Sequence, residues 1–242
     1  MSKVRASSHR DNRLLAALEP DDFTCLEPHL EVVHLKRRQV LYEIGDTIRY
    51  AYFPHNTVIS LVAVMEDGSA AEMSLYGPEG VSGLVAGAIT RQAFGRYIVQ
   101  LTGTASRIDI DTMYEVISAR PNIQRLLRHF TEATMARVLQ SVACNAVHSV
   151  EARCCRFILM THYRLDQDVL ALTHEFLAER LGVQRTTVSA VMSKLQNKGL
   201  IQKVRGGIIV TNPSGLEAEA CECYSRIREM LERVLPYAPS RR

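Results

Sequence analysis

Gln184, Arg185, Thr186, Ser189, Ala190 and Ser193 recur at helical spacing and would share one face, with the arginine near the N-terminal end. Short hydrogen-bonding side chains around a leading arginine are what the base edges of a DNA major groove can pair with. Between Arg180 and Arg205 the chain carries six Lys or Arg (Arg180, Arg185, Lys194, Lys198, Lys203, Arg205) and no Asp or Glu. Such a stretch can neutralise phosphates. The candidate contacts to double-stranded DNA are Gln184, Arg185, Thr186, Ser189 and Ser193 for base-edge or backbone recognition. Lys194, Lys203 and Arg205 supply the salt-dependent part, and Thr173 stands at the edge of the same surface. The plainer reading of these residues is a solvated basic hairpin, and the agreement of apolar spacing, glycine and charge weighs against it.

Other residues could do other chemistry, and their spacing argues against it. Six cysteines occur, with no CxxC pair and no regular framework, so disulfides are not expected. Cys144 and His148 lie four apart and could share a helix face. That is two ligands only, so a buried helical cysteine is the ordinary reading and no metal or cofactor is expected. His29, His34 and His55 are scattered, without the His-x-His pair of a metal-dependent roll enzyme. No G-x-S-x-G, P-loop or G-x-G-x-x-G pattern is present, and no catalytic residues or enzymatic activity are expected.

The elements that must carry the DNA face can be read from apolar spacing. Leu177, Ala178, Leu181, Gly182, Val183, Val188 and Val191 fit the inward positions of a helix-turn-helix, with Leu195 continuing the second helix. Thr173 can cap the first helix, Glu175 suits its first turn, and Gly182 ends it. Two short β runs, 200–204 and 208–210, flank Gly206 and Gly207 as a wing. Ser214 with Glu217 forms a capping box for a last helix through Leu216, Ala220, Tyr224, Ile227, Leu231 and Val234, and the chain closes through Pro236 and Pro239.

Upstream, residues 1–13 read as a loose tail, followed by helical turns at 14–18 and 23–30. Val33, Leu35, Val40 and Tyr42 then alternate with polar residues. The runs 58–65 and 71–76 flank Glu66-Asp67-Gly68, a hairpin signal, and 97–101 and 105–110 add further strands. Regular glycines between short strands predict a small barrel or roll over 14–112. The helical period takes over near Asp111, giving a dimerisation helix over 113–146. Its core, 121–146, would extend about 39 Å. Leu127, Phe130, Thr134 and Val138 form its expected dimer stripe, because a two-fold pair of such helices would set two recognition helices one DNA turn apart. Another helix over 150–160 leads to a DNA-binding unit over 147–242. The fold class is therefore α+β.

With 242 residues, 47% of them apolar, the chain can bury packed cores. Its net charge is only +3, so affinity for nucleic acid must come from local clustering. No apolar run approaches the roughly 18 residues of a membrane span, and MSKVRASSHRDNR has no apolar signal core. A cytoplasmic protein without membrane contact is expected.

A glycine-punctuated roll, a long helix, then LTHEFLAERLGVQRTTVSAVMSKLQNKGLI and a wing resemble the Crp/Fnr superfamily of bacterial transcription regulators, over nearly the whole chain. The resemblance implies a homodimer, a sensory β-roll of the cyclic-nucleotide-binding type, DNA contacts from the second helix, and RNA polymerase as a further partner. Arg185 falls where the family places a base- or phosphate-contacting arginine. Thr186 stands where many members have a glutamate, and Ala190 where an arginine often reads guanine, so a different target sequence is implied. Members that bind cyclic AMP use a Gly-Glu-Leu turn and an Arg-Ser pair. Here the turn is Gly80, Val81, Ser82 and Gly83, with no Arg-Ser pair after it; Arg91 and Arg96 are the nearest cations. These six residues are the candidate effector pocket, for an unidentified small molecule other than cyclic AMP. The iron-sulfur variant would need four thiolates, and the chain up to residue 143 has only Cys25; haem through a single histidine has nothing to support it. The alternative function is a small-molecule receptor that signals through protein partners.

Overall fold

The computed structural model describes residues 8–68, 70–88, 90–165 and 169–235. Residues 1–7 of the expected tail, and Pro236 and Pro239, lie outside them. The described residues fall into two compact units, one from 8–63, 73–132 and 234–235 and the other from the remainder.

The first unit opens on two short helices, α1 (Arg13–Ala16) and α2 (Pro20–Leu26), and continues into strands β1 (Glu31–Leu35), β2 (Val40–Tyr42), β3 (Tyr50–Pro54), β4 (Val58–Val64) and β5 (Ala70–Tyr76), of which residues 64–72 group with the second unit. A helical turn α3 (Leu84–Ala88), strands β6 (Arg96–Leu101) and β7 (Gly103–Asp109) and helix α4 (Ile110–Ala119) complete it, with the start of the long helix α5 (Pro121–Val147). The strands form two sheets, in the orders β1-β7-β3 and β2-β6-β4-β5. The hairpin expected at Asp67-Gly68 is present, with Gly68 at φ +81°. Strand β3 escapes the alternation argument because four of its five residues are buried. A strand covered on both faces has no period of two to read.

Residues 8–13 are not loose. Asn12 is fully buried: its Oδ1 accepts from the backbone N–H of Leu14 and Leu15 at 3.0 and 3.2 Å. Its Nδ2 donates to the carbonyls of Pro54 and Gly80, both at 2.9 Å. Polar composition suggested a tail, but one amide saturates two helix donors and two distant carbonyls. Asn12→Ala is expected to lower the stability of this unit by roughly 2–3 kcal/mol, because it strands those groups in the interior. A urea titration followed by circular dichroism measures it.

The long helix begins at Pro121 and not at residue 113. Arg120 is extended (φ −128°, ψ 92°), as the residue before a proline is biased to be, and this separates α4 from α5. The expected dimer stripe is also corrected. Leu127 and Phe130 belong to the core of the first unit, Thr134 is buried and Val138 is half-buried. The large apolar side chains that α5 leaves exposed are Met135, Leu139 and Val142, at 56%, 61% and 64% exposure, and Val147 at its last residue, at 74%. Both sets recur at three and four, so periodicity alone could not tell which one faces inward.

The second unit continues through α6 (Val150–Arg164), β8 (Val169–Leu170), α7 (His174–Leu181), α8 (Arg185–Asn197), β9 (Ile201–Val204), β10 (Gly207–Val210), α9 (Pro213–Glu219) and α10 (Cys223–Val234). The wing is a sheet in the order β8-β10-β9. A Cβ on Gly207 would lie 2.1 Å from the Leu170 carbonyl oxygen, so only glycine lets β8 pair there. The expected single last helix is two. Asn212, not Ser214, caps α9 by accepting from the Gly215 N–H, with Pro213 as first residue. The chain then leaves helical geometry at Ala220 (φ −80°, ψ 158°) and restarts at Cys223. Among the described residues no helix is long and apolar enough to cross a membrane.

Candidate nucleic-acid interface

Local chemistry sets the two helices of the motif. Thr173 caps α7 by accepting from the Phe176 N–H at 3.2 Å, and Gly182 ends it in the left-handed region (φ 65°, ψ 43°). Leu177, Leu181, Val188 and Leu195 are buried as their spacing predicts, while Ala178, Val183 and Val191 are half-buried and Gly182 is exposed. Met192, fully buried, takes the inward place that the spacing gave to Val191.

On the outer side, Gln184, Arg185, Thr186, Ala190 and Ser193 are all exposed. Arg185 is the first residue of α8, and its guanidinium is 2.9 Å from the Glu175 carboxylate. Both side chains are more than half exposed. An exposed pair of this kind contributes about 0–1 kcal/mol, so exchanging Glu175 for a base edge or phosphate costs little. Glu175 thus holds the arginine in a defined place while leaving it available.

Ser189 sits differently. It is half-buried, and its hydroxyl donates to the Arg185 carbonyl at 3.0 Å. Nδ1 of His174 lies 2.9 Å from the same hydroxyl oxygen, and with the hydroxyl proton committed, the imidazole N–H is the donor. Burial, then the nearby Lys203 and Arg185, lower the His174 pKa and keep the ring neutral. His174 and Ser189 therefore tie α7 to the first turn of α8. Composition assigned Ser189 to the outer face because nothing local revealed its partner 15 residues earlier.

The basic stretch is less bare than its lack of acids suggested. Arg180 is half-buried, paired with Glu72 at 2.9 Å and lying over the Phe157 ring, so it is no phosphate ligand. Lys194 pairs with Glu151 at 2.6 Å and Lys198 with Glu219 at 2.7 Å. Lys203 reaches from β9 to donate to Ser193 Oγ at 3.2 Å, which lays the wing beside the recognition helix. Arg205, exposed in the turn before Gly206 (φ 88°), makes no ion pair among the described residues. The outward cations available to phosphates are thus Arg185, Lys194, Lys203 and Arg205, the first three already oriented by neighbours.

The candidate effector pocket is not assembled as expected. Val81 and Ser82 are buried, but Arg91 pairs with Asp111, and Arg96 with Glu43 at 2.8 Å, all at the surface. Neither guanidinium is directed into the turn. Gly80 lies under the Phe130 ring, where a Cβ would come within 3.0 Å. Inside the roll, Tyr42, Tyr52, Tyr76 and Tyr97 pack ring against ring, with centroids 5.9–6.4 Å apart. Burial raises the pKa of Tyr52 and Tyr97 well above that of a free phenol. This is a neutral aromatic interior, a poor counterpart for a phosphate.

Comparison with known proteins agrees with this geometry. The Crp-like helix-turn-helix domain family matches residues 152–219. The transcriptional regulator SdrP of Thermus thermophilus is 24% identical over 196 residues, which span 75% of this chain and 93% of that protein. FixK2 from Bradyrhizobium japonicum has a similar structure, with TM-score 0.70 and 16% identity, covering 79% of this chain and 98% of FixK2. A CRP-family transcriptional regulator from Thermus thermophilus, TTHB099, gives TM-score 0.65 at 20% identity, over 78% of this chain and 96% of that one.

Proposed function

We propose that this chain is a Crp-family transcriptional regulator that binds a two-fold symmetric operator as a homodimer through its helix-turn-helix domain. The observation that carries the reading is the outer face of α8: Gln184, Arg185 and Thr186 stand exposed at its N-terminal end, and Lys203 of the wing lies alongside. A helix presented this way places short polar side chains at base edges and cations at the flanking phosphates. The second copy is supported by Met135, Leu139 and Val142, exposed on one side of α5 at spacings of four and three. That spacing is the seam of a two-helix coiled coil. Residues 127, 130 and 134 hold the helix to its own chain instead. The roll is the sensory part in this reading, its signal a small molecule not yet identified, with RNA polymerase as the further partner in the cytoplasm.

Selection of bound sequences from a random duplex pool, repeated at two salt concentrations, tests it. Enrichment of a symmetric site is expected, with half-site bases that differ from those read by a glutamate and an arginine at positions 186 and 190. Four outward cations per chain in two chains make eight; if all reach phosphates, the logarithm of affinity falls with the logarithm of salt at a slope of about −7. Binding that ignores salt would overturn the reading and favour a receptor that signals through proteins.

A further inference from the structure

The interruption between α9 and α10 brings Cys221 and Cys223 to the end of α5, beside Cys144 and His148. One donor atom from each of these four residues lies within 4.8 Å of all the others. Cys144 Sγ is 3.6 Å from Cys221 Sγ, and Cys223 Sγ is 3.7 Å from His148 Nδ1. A tetrahedron with arms of about 2.3 Å to sulfur has edges of about 3.8 Å, so these separations are those of ligands around one ion. We propose that Cys144, His148, Cys221 and Cys223 bind a single divalent metal ion, zinc by the chemistry of the donor set, which joins the end of α5 to the start of α10.

Three features beyond the four donors support the assignment. Nε2 of His148 lies 3.1 Å from the Glu222 carboxylate, which leaves Nδ1 turned to the cysteines. A carboxylate on the far nitrogen is the usual partner of a metal-bound imidazole, fixing its tautomer and ring orientation. Gln140 Nε2 donates to Cys223 Sγ at 3.0 Å, an N–H···S bond that a thiolate ligand accepts well. The third feature is charge. Three thiolates, one neutral imidazole and a dication sum to −1, and the Arg156 guanidinium is near enough to Cys144 and Cys221 to act on both electrostatically. Arg156 is only 5% exposed, its Nε has no hydrogen-bond partner, and it makes no ion pair among the described residues. A buried guanidinium without a carboxylate is costly, and an anionic metal centre supplies its counter-charge. A disulfide between Cys144 and Cys221 would use two of the donors and leave Cys223, His148 and Glu222 unexplained.

Binding replaces the S–H protons of three thiols with metal–sulfur bonds and releases those protons to solvent; no electron transfer is involved. The donors enclose one ion and not a polynuclear cluster, whose thiolates sit on different irons. None of the four ligands belongs to the outer face of α8, so the site is separate from DNA recognition.

The full-length protein, purified without chelator and under reducing conditions, is expected to carry one equivalent of zinc per chain by elemental analysis. Apo-protein titrated with cobalt(II) should develop the visible bands of tetrahedral coordination and a sulfur-to-cobalt charge-transfer band, saturating at one equivalent. Stripping the metal should lower Tm by more than about 5 °C. Cys221→Ser and Cys223→Ser should abolish stoichiometric zinc, while Cys25→Ser, outside the cluster, keeps it; circular dichroism checks that each variant folds. Reduced wild-type protein that takes up neither zinc nor cobalt would overturn the proposal and leave packed thiols, and a cluster variant with undiminished metal would do the same.

Discussion

Leu139→Glu is expected to convert the proposed homodimer to a monomer at micromolar concentration and to weaken operator binding at least about 100-fold. Leu139 is the middle residue of the exposed stripe Met135, Leu139 and Val142. Each of these side chains, when covered by a second copy, contributes on the order of 1.5–3 kcal/mol. A glutamate at the centre loses that contribution and sets two like charges facing each other across the two-fold axis. DNA binding suffers because each half-site engages independently once the helices part, so the gain from linking two contacts disappears. Sedimentation velocity reads the association state, and fluorescence anisotropy on the selected operator reads affinity. A variant that remains dimeric would remove the stripe from the interface. Phe130→Ala supplies the contrast: it empties a core position beneath Gly80 and is expected to cost about 3–5 kcal/mol of stability while dimers persist.

Arg185→Ala should reduce specific binding by about 1–3 kcal/mol, roughly 5- to 150-fold, with thermal stability unchanged. The arginine is exposed and makes only the surface pair with Glu175, so the fold does not depend on it. Its Cα position at the first residue of α8 is held by the Gly182 turn and by the His174–Ser189 bond, neither of which the substitution touches. Binding to the selected operator and to a scrambled duplex distinguishes two roles. A loss confined to the operator means base recognition, an equal loss on both means phosphate contact, and no loss on either removes Arg185 from the interface. Glu175→Gln is the companion variant; freeing the arginine from its partner should leave affinity unchanged or raise it slightly, since no ion pair must be broken on binding.

The helix-turn-helix was legible in the residues alone, because everything that specifies it is local. A threonine three residues before its amide partner, a glycine at a left-handed position and valine and leucine spacings of three and four depend on short-range geometry. Glycine punctuation and β-branched runs likewise marked the roll. Packing settled the rest, wherever two candidate arrangements had equal local merit. On α5 two apolar stripes shared the same period, and only contact with the rest of the chain chose the inner one. A segment free of acids received Glu72, Glu151 and Glu219 from elsewhere in the chain, which drew one of its six cations inward and oriented two others. The cluster of Cys144, His148, Cys221 and Cys223 is the sharpest case. Cys144 and His148 were legible as a pair one turn apart, but their partners lie 77 and 75 residues away along the chain. A helix break at residues 220–222 brings them in, and it interrupts an apolar pattern that by itself reads as one continuous helix. Short-range rules fix φ, ψ and face; which faces meet is settled only when distant segments compete for the same buried surface.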